Sequence, residues 1–184
     1  MLLKLTGILS EILFIALVLV CRKKEKSFDF RENTFSYFGS KPRTKKLFNI
    51  GLFFIILIRI IFASRIFLDL YLWKNIFLVF SGIIAFFGAL AASIFSTDRH
   101  SLVHRSSANI SAVFSTIFIF FVGLSLINND LYLAIFNLTI FVLLFFLTFY
   151  LFKAKKVSSI FQIMFFLLII IWDNVMTLKL FNII

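Results

Sequence analysis

The sequence predicts an all-α integral membrane bundle of six transmembrane helices. Three observations predict it. The 184 residues are 62% apolar and 15% charged, against roughly 25% charged in an ordinary soluble domain. One proline, Pro42, and six glycines leave most of the chain with nothing to break long helices. Finally, the sequence repeatedly offers apolar runs near the length of about 20 residues that a bilayer crossing needs, and Lys and Arg stand at the ends of those runs. The expectation is a single domain over residues 1–184, with no separate soluble module.

Helix 1 is expected near residues 5–21. It does not read as a cleavable signal. The basic block of "LVLVCRKKEK" follows the apolar stretch instead of preceding it, and no small-residue cleavage site is present. Val20 before Cys21 also suits a lipoprotein cleavage site poorly. Helix 2, near 47–67, follows the one long loop, "RKKEKSFDFRENTFSYFGSKPRTKK". Helix 3, near 75–95, carries Ser81, Ala85, Ala89 and Ser93 at four-residue spacing, and so along one stripe. Helix 4, near 108–127, answers with Ala108, Ala112 and Thr116, flanked by Ser107, Ser111 and Ser115. Small residues let helices approach closely in lipid, where no hydrophobic effect drives them together. A tight helix 3–helix 4 hairpin is therefore expected, with a homodimer face as the competing use of the stripe. Helices 5 and 6 fall near 131–152 and 158–178. The connections 128–130 and 154–157 are short enough to make helices 4, 5 and 6 antiparallel neighbours.

Loop charge orients this bundle. The first loop carries nine Lys or Arg, the third adds Arg99 and Arg105, and the fifth adds Lys153, Lys155 and Lys156. These fourteen stand against four on the other side, namely Lys4, Arg65, Lys74 and Lys179. Lys and Arg are retained on the cytoplasmic side, so both termini are expected on the extracytoplasmic side of a prokaryotic plasma membrane. The net charge of +11 is thus assigned to anionic lipid head groups and not to nucleic acid. A lone Cys21 excludes an intramolecular disulfide and a multi-cysteine metal site; beside "RKK" it is a palmitoylation candidate or simply core. "NIS" at Asn109 and "NLT" at Asn137 match the glycosylation pattern but fall in expected helices, where they should be inaccessible. No nucleotide loop, nucleophile elbow or dinucleotide fingerprint occurs, and no cofactor is implied.

Two constellations carry chemistry. "FSTDRHSLVHRSSANIS", residues 95–111, holds both histidines beside an acid. If helix 4 begins early, His100 and His104 lie one turn apart, as two ligands of one metal would, with Asp98 as third ligand or orienting group. The same stretch also suits a wet turn in which Asp98 caps helix 4 and pairs with Arg99 or Arg105. The second constellation is Glu11, Arg59 and Asp173, charges inside helices 1, 2 and 6. At 1.5 Å per residue they lie about 15, 18 and 22 Å from the inner ends of their helices. Similar depth permits an ion-paired cluster, read either as a structural clamp or as a polar path for an ion or proton.

Two stretches, "TFSYFGSKPRTKKLFNIGLFF" and "AASIFSTDRHSLVHRSSANIS", together resemble the domain-of-unknown-function 998 family. These are six-span prokaryotic membrane proteins, more distantly similar to the DRAM and FRAG-type group. The family's Ser-acid-x-Gly step corresponds to Ser36, Tyr37, Phe38 and Gly39, and its Phe-Asn entry to helix 2 to Phe48 and Asn49. Its Phe-Pro-x-Asp turn and following histidine correspond to Phe95, Ser96, Thr97, Asp98 and His104. Tyr37 stands where the family has an acid and Ser96 where it has proline. The resemblance implies a six-helix bundle and favours His104 over His100 as the histidine facing the first loop, but implies no reaction.

The expected function is non-enzymatic or lipid-associated, because no complete catalytic set is present. A polar site is expected at the cytoplasmic edge, where Ser36–Gly39 meets the Asp98–His104 turn, with Arg43, Lys45 and Lys46 contacting an anionic head group. The alternatives are a lipid head-group hydrolase or metal-dependent enzyme using Asp98, His104 and Ser36, and a small transporter using Glu11, Arg59 and Asp173.

Overall fold

A computed structural model describes residues 2–95, 100–153 and 159–184. Among these residues the fold is all-helical, with no strand. Six helices are long and apolar enough to cross a membrane. They are α1 (Thr6–Lys24), α2 (Lys45–Asp69), α3 (Ile76–Ile94), α4 (Ser101–Leu126), α5 (Leu131–Lys153) and α6 (Ser159–Leu180). Each packs on the next in sequence, and α6 returns to α1. Short turns separate α2 from α3 and α4 from α5, which forces those neighbours to run antiparallel.

Glycine and small side chains set where the helices touch. The α3–α4 interface is the most extensive in the bundle. Its closest point is Gly88, where an added Cβ would sit 2.9 Å from both the Ser107 carbonyl oxygen and the Ser111 backbone nitrogen. Of the stripe expected on helix 3, Ser81, Ala85 and Ser93 are buried, along with Gly82 and Gly88. The α1–α2 pair also closes on glycines. The Phe62 ring covers Gly7 and Leu17 covers Gly51, each with carbons 2.9 Å from where a Cβ would stand, closer than van der Waals contact.

Helix 4 was expected to start at residue 108, but α4 starts two turns earlier, at Ser101. The segment from Ser101 to Ser107 is polar, so hydropathy excludes it from the membrane. It contains no glycine or proline, however, and nothing stops the helix from continuing into water. The N-cap is His100, with no side-chain hydrogen bond. Asp98, the expected cap, lies outside the described residues.

The first loop is folded. Phe28, Phe35 and Phe38 are buried and pack with Phe30, Tyr37 and Phe48 into an aromatic cluster over the ends of α1 and α2. Two links tie it to α6. The Asn33 carbonyl accepts from the Ser159 backbone N–H at 2.7 Å and its hydroxyl at 2.6 Å, and the Phe35 N–H donates to Gln162 Oε1 at 2.8 Å. Cys21 is fully buried beneath this cap, as core.

Candidate functional site

At the loop-1 end of the bundle, Gly39 has no positive φ, so it is not needed for a tight bend. Its role is close approach. A Cβ there would stand 2.7 Å from Asn49 Oδ1 and 3.3 Å from the Ser36 carbonyl oxygen, so glycine lets the loop lie on the first turns of α2 without displacing the Asn49 side chain. Ser36 Oγ shares a 2.7 Å contact with Thr34 Oγ1, and Tyr37 Oη shares one of 2.9 Å with Ser27 Oγ.

The two histidines belong to the α3–α4 turn. His104 Nδ1 lies 2.9 Å from the Ala92 carbonyl oxygen and 3.0 Å from that of Phe95. Carbonyls only accept, so Nδ1–H donates to both and satisfies two of the carbonyls left open at the end of α3. The His100 ring packs edge-on against Phe95, centroids 5.6 Å apart. Among the described residues no three His, Cys, Asp or Glu side chains converge as metal ligands would. The expected meeting of Ser36–Gly39 with Asp98 depends on a residue outside the described set. The loop's described links run to α6.

Arg43 and Lys46 are exposed. Asn49 and Ile50 lie three and four residues beyond Lys46, and Phe53 four and three beyond them, so the four share one face of α2. Below Lys46 that face opens into a cavity of about 250 Å³ between α2 and α3, lined by Asn49, Ile50, Phe53, Ser93 and Ile94. The cavity thus has two polar and three apolar lining residues and begins one turn beyond an exposed cation. A second, larger cavity of about 310 Å³ lies between the same helices around Ile60, Phe67, Gly82 and Phe87. At 1.5 Å per residue it begins about 20 Å beyond Lys46, toward the opposite membrane face.

The three intramembrane charges do meet. Arg59 pairs with Asp173 Oδ2, and the Asp173 carboxyl lies within hydrogen-bonding reach of the Glu11 carboxyl. Asn174 Nδ2 donates to Glu11 Oε2 at 3.1 Å, a partner the sequence reading missed. Its signal was present, as the polar residue next to an intramembrane acid. A further polar link joins α5 to α6. Trp172 Nε1–H donates to Asn137 Oδ1 at 2.7 Å, and the Asn137 amide donates back to the Leu133 carbonyl at 2.7 Å. Asn137 is fully buried, which removes it as a glycosylation acceptor; Asn109, by contrast, sits on an exposed face of α4.

At the opposite end of the bundle three of the four cations are ion-paired. Asp69 pairs with Arg65 and, at 3.4 Å, with Lys4, while Lys179 pairs with Asp130 at 2.6 Å. Lys4 also donates to the Leu180 carbonyl, tying the start of α1 to the end of α6. Compared with protein-family models, curated proteins and solved structures, the chain matches none.

Proposed function

We propose that this chain is a non-enzymatic, lipid-associated protein of the prokaryotic plasma membrane that holds an anionic glycerophospholipid at its basic face. The observation that carries the reading is the notch between α2 and α3. Its wall begins at Asn49 and Ile50, one turn beyond the exposed Lys46 and two beyond the exposed Arg43, and it is otherwise lined by Phe53, Ser93 and Ile94. A phosphate at the rim would be neutralised by the guanidinium and the ammonium, and the upper acyl chain would replace water or loose lipid against Ile50, Phe53 and Ile94. Both termini then lie on the extracytoplasmic side, because the fourteen-to-four distribution of cations keeps the notch at the cytoplasmic leaflet. The likeness of the two quoted stretches to the domain-of-unknown-function 998 proteins accords with this placement. Turnover of the bound head group would need Asp98 as acid or ligand, and no described geometry favours that over binding.

The test is titration of the detergent-purified protein with phosphatidylglycerol and with phosphatidylcholine. The anionic lipid is expected to bind more tightly. A double Arg43→Gln, Lys46→Gln variant should weaken that binding about thirtyfold, from roughly 1 kcal/mol for each cation lost near the membrane surface. Binding of the zwitterionic lipid should be unchanged. Equal affinity of the wild-type chain for the two lipids would remove the reading.

A further inference from the structure

The Glu11–Asp173 pair carries an inference independent of the lipid notch. Counted from the helix ends, Glu11 is 13 residues above Lys24, Arg59 is 14 beyond Lys45, and Asp173 is 14 beyond Ser159. All three therefore lie about 20 Å from the basic face, deep in the span. Asp173 is 1% exposed and Glu11 5%. Their outer oxygens are satisfied, Asp173 Oδ2 by Arg59 and Glu11 Oε2 by Asn174. The other oxygen of each, Asp173 Oδ1 and Glu11 Oε1, is buried with no partner. An ionised carboxylate only accepts hydrogen bonds, so two facing carboxylates repel and leave both of these oxygens orphaned.

Among the described residues no other group relieves them. On α1, Ser10 Oγ donates to the Gly7 carbonyl. On α6, Thr177 Oγ1 donates to the Asp173 carbonyl, and Asn174 is already committed to Glu11 and the Ile170 carbonyl. Arg59 is the one cation that α2 supplies at this depth; the next charges, Lys4, Arg65 and Asp69, lie six or more residues toward the opposite face, where Asp69 pairs with Lys4 and Arg65. Two acids against one base leave a formal charge of −1 in the span, where an uncompensated charge costs several kcal/mol.

We propose that Glu11 and Asp173 form a proton-binding site, in which one resident proton is shared between Glu11 Oε1 and Asp173 Oδ1 and closes the seam between α1 and α6. A hydronium ion of the solvent supplies the proton: its O–H bond breaks, leaving water, as the Glu11 O–H bond forms. Glu11 becomes a neutral acid that donates to Asp173, and Asp173 stays ionised against Arg59. The bound proton neutralises the span and satisfies both orphaned oxygens with one hydrogen bond. Its departure leaves two carboxylates facing each other across the seam, which pushes α1 from α6.

The experiment is infrared spectroscopy of the purified protein in lipid nanodiscs at neutral pH, read in the C=O stretch of protonated carboxyl groups. The wild-type chain should show such a band, shifted in D2O and absent from Glu11→Gln. Asp173→Asn should also lack it, because Arg59 then takes Glu11 as its carboxylate partner even though Glu11 is intact. Glu11→Gln keeps a neutral hydrogen-bonding side chain, so its melting temperature at neutral pH should match the wild type, showing that it folds. Absence of the band from the wild type, or its survival in Glu11→Gln, would overturn the proposal.

Discussion

Asp130 shows how one side chain can serve two helices. Its Oδ1 accepts from the Leu133 N–H at 3.0 Å and caps the start of α5, while its Oδ2 meets Lys179 at the end of α6. The Lys179 ammonium, and then the Leu133 N–H, hold the Asp130 carboxyl below its ordinary range. A carboxyl depressed in the folded state contributes stability that is complete above its unfolded value of about 3.9 and is lost as pH falls through the lower folded value. Asp130→Asn keeps the cap, since asparagine serves that position as well as aspartate, and removes only the charge. It should lower the melting temperature at neutral pH by about 1–3 °C, the scale of a partly exposed ion pair in a chain of this size. It should also flatten the acid limb of a plot of melting temperature against pH. An unchanged acid limb in the variant would assign the pH response to other groups. At this scale the sequence was most informative about depth. The similar depths of Glu11, Arg59 and Asp173 permitted a cluster; in the structure Arg59 pairs with Asp173, and Glu11 reaches α6 through Asn174. Asn174 escaped because an uncharged amide carries no signal in a charge count.

At the scale of elements, apolar length located the six helices, whereas it could not locate their ends. Hydropathy reports where a helix leaves the membrane, and α4 begins two turns before it enters. The first loop was legible only as a charged connection. Its fold depends on Phe28, Phe35, Phe38 and Tyr37 collapsing on one another, and such contacts follow no helical or strand period. The α3–α4 contact was legible as a stripe of small residues, but the tightest point, Gly88, was not singled out from it. That point makes a sharp prediction. At Gly88 an added methyl meets the backbone of α4, which cannot swing aside. At Gly51 it meets only the methyl ends of Leu17, which can. Gly88→Ala should therefore cost about 2 kcal/mol, an ordinary overpacking penalty, and lower the melting temperature by about 6 °C. Gly51→Ala should cost well under half of that. Equal losses in the two variants would mean that the α3–α4 backbone approach does not limit stability.

At the scale of the whole molecule, the two ends of the bundle handle charge in opposite ways. One end pairs Lys4, Arg65 and Lys179 with Asp69 and Asp130. The other presents Arg43, Lys46 and Arg105 exposed, around a folded aromatic cap that is tied to α6. This asymmetry could be read directly from the sequence, because it needs only the order of apolar runs and cations. The notch beneath Lys46 could not, since it depends on how far α2 and α3 diverge near their ends. The proposed lipid site requires the two ends to face opposite sides of a membrane, with the exposed cations inside. Labelling with a membrane-impermeant maleimide tests this most directly, in a Cys21→Ser background with either Asn129→Cys between α4 and α5 or Lys26→Cys in the first loop. Both positions are exposed. The account predicts that Asn129→Cys is labelled in intact cells and Lys26→Cys only after the membrane is opened. Labelling of both from the same side, or of Lys26→Cys alone in intact cells, would contradict it.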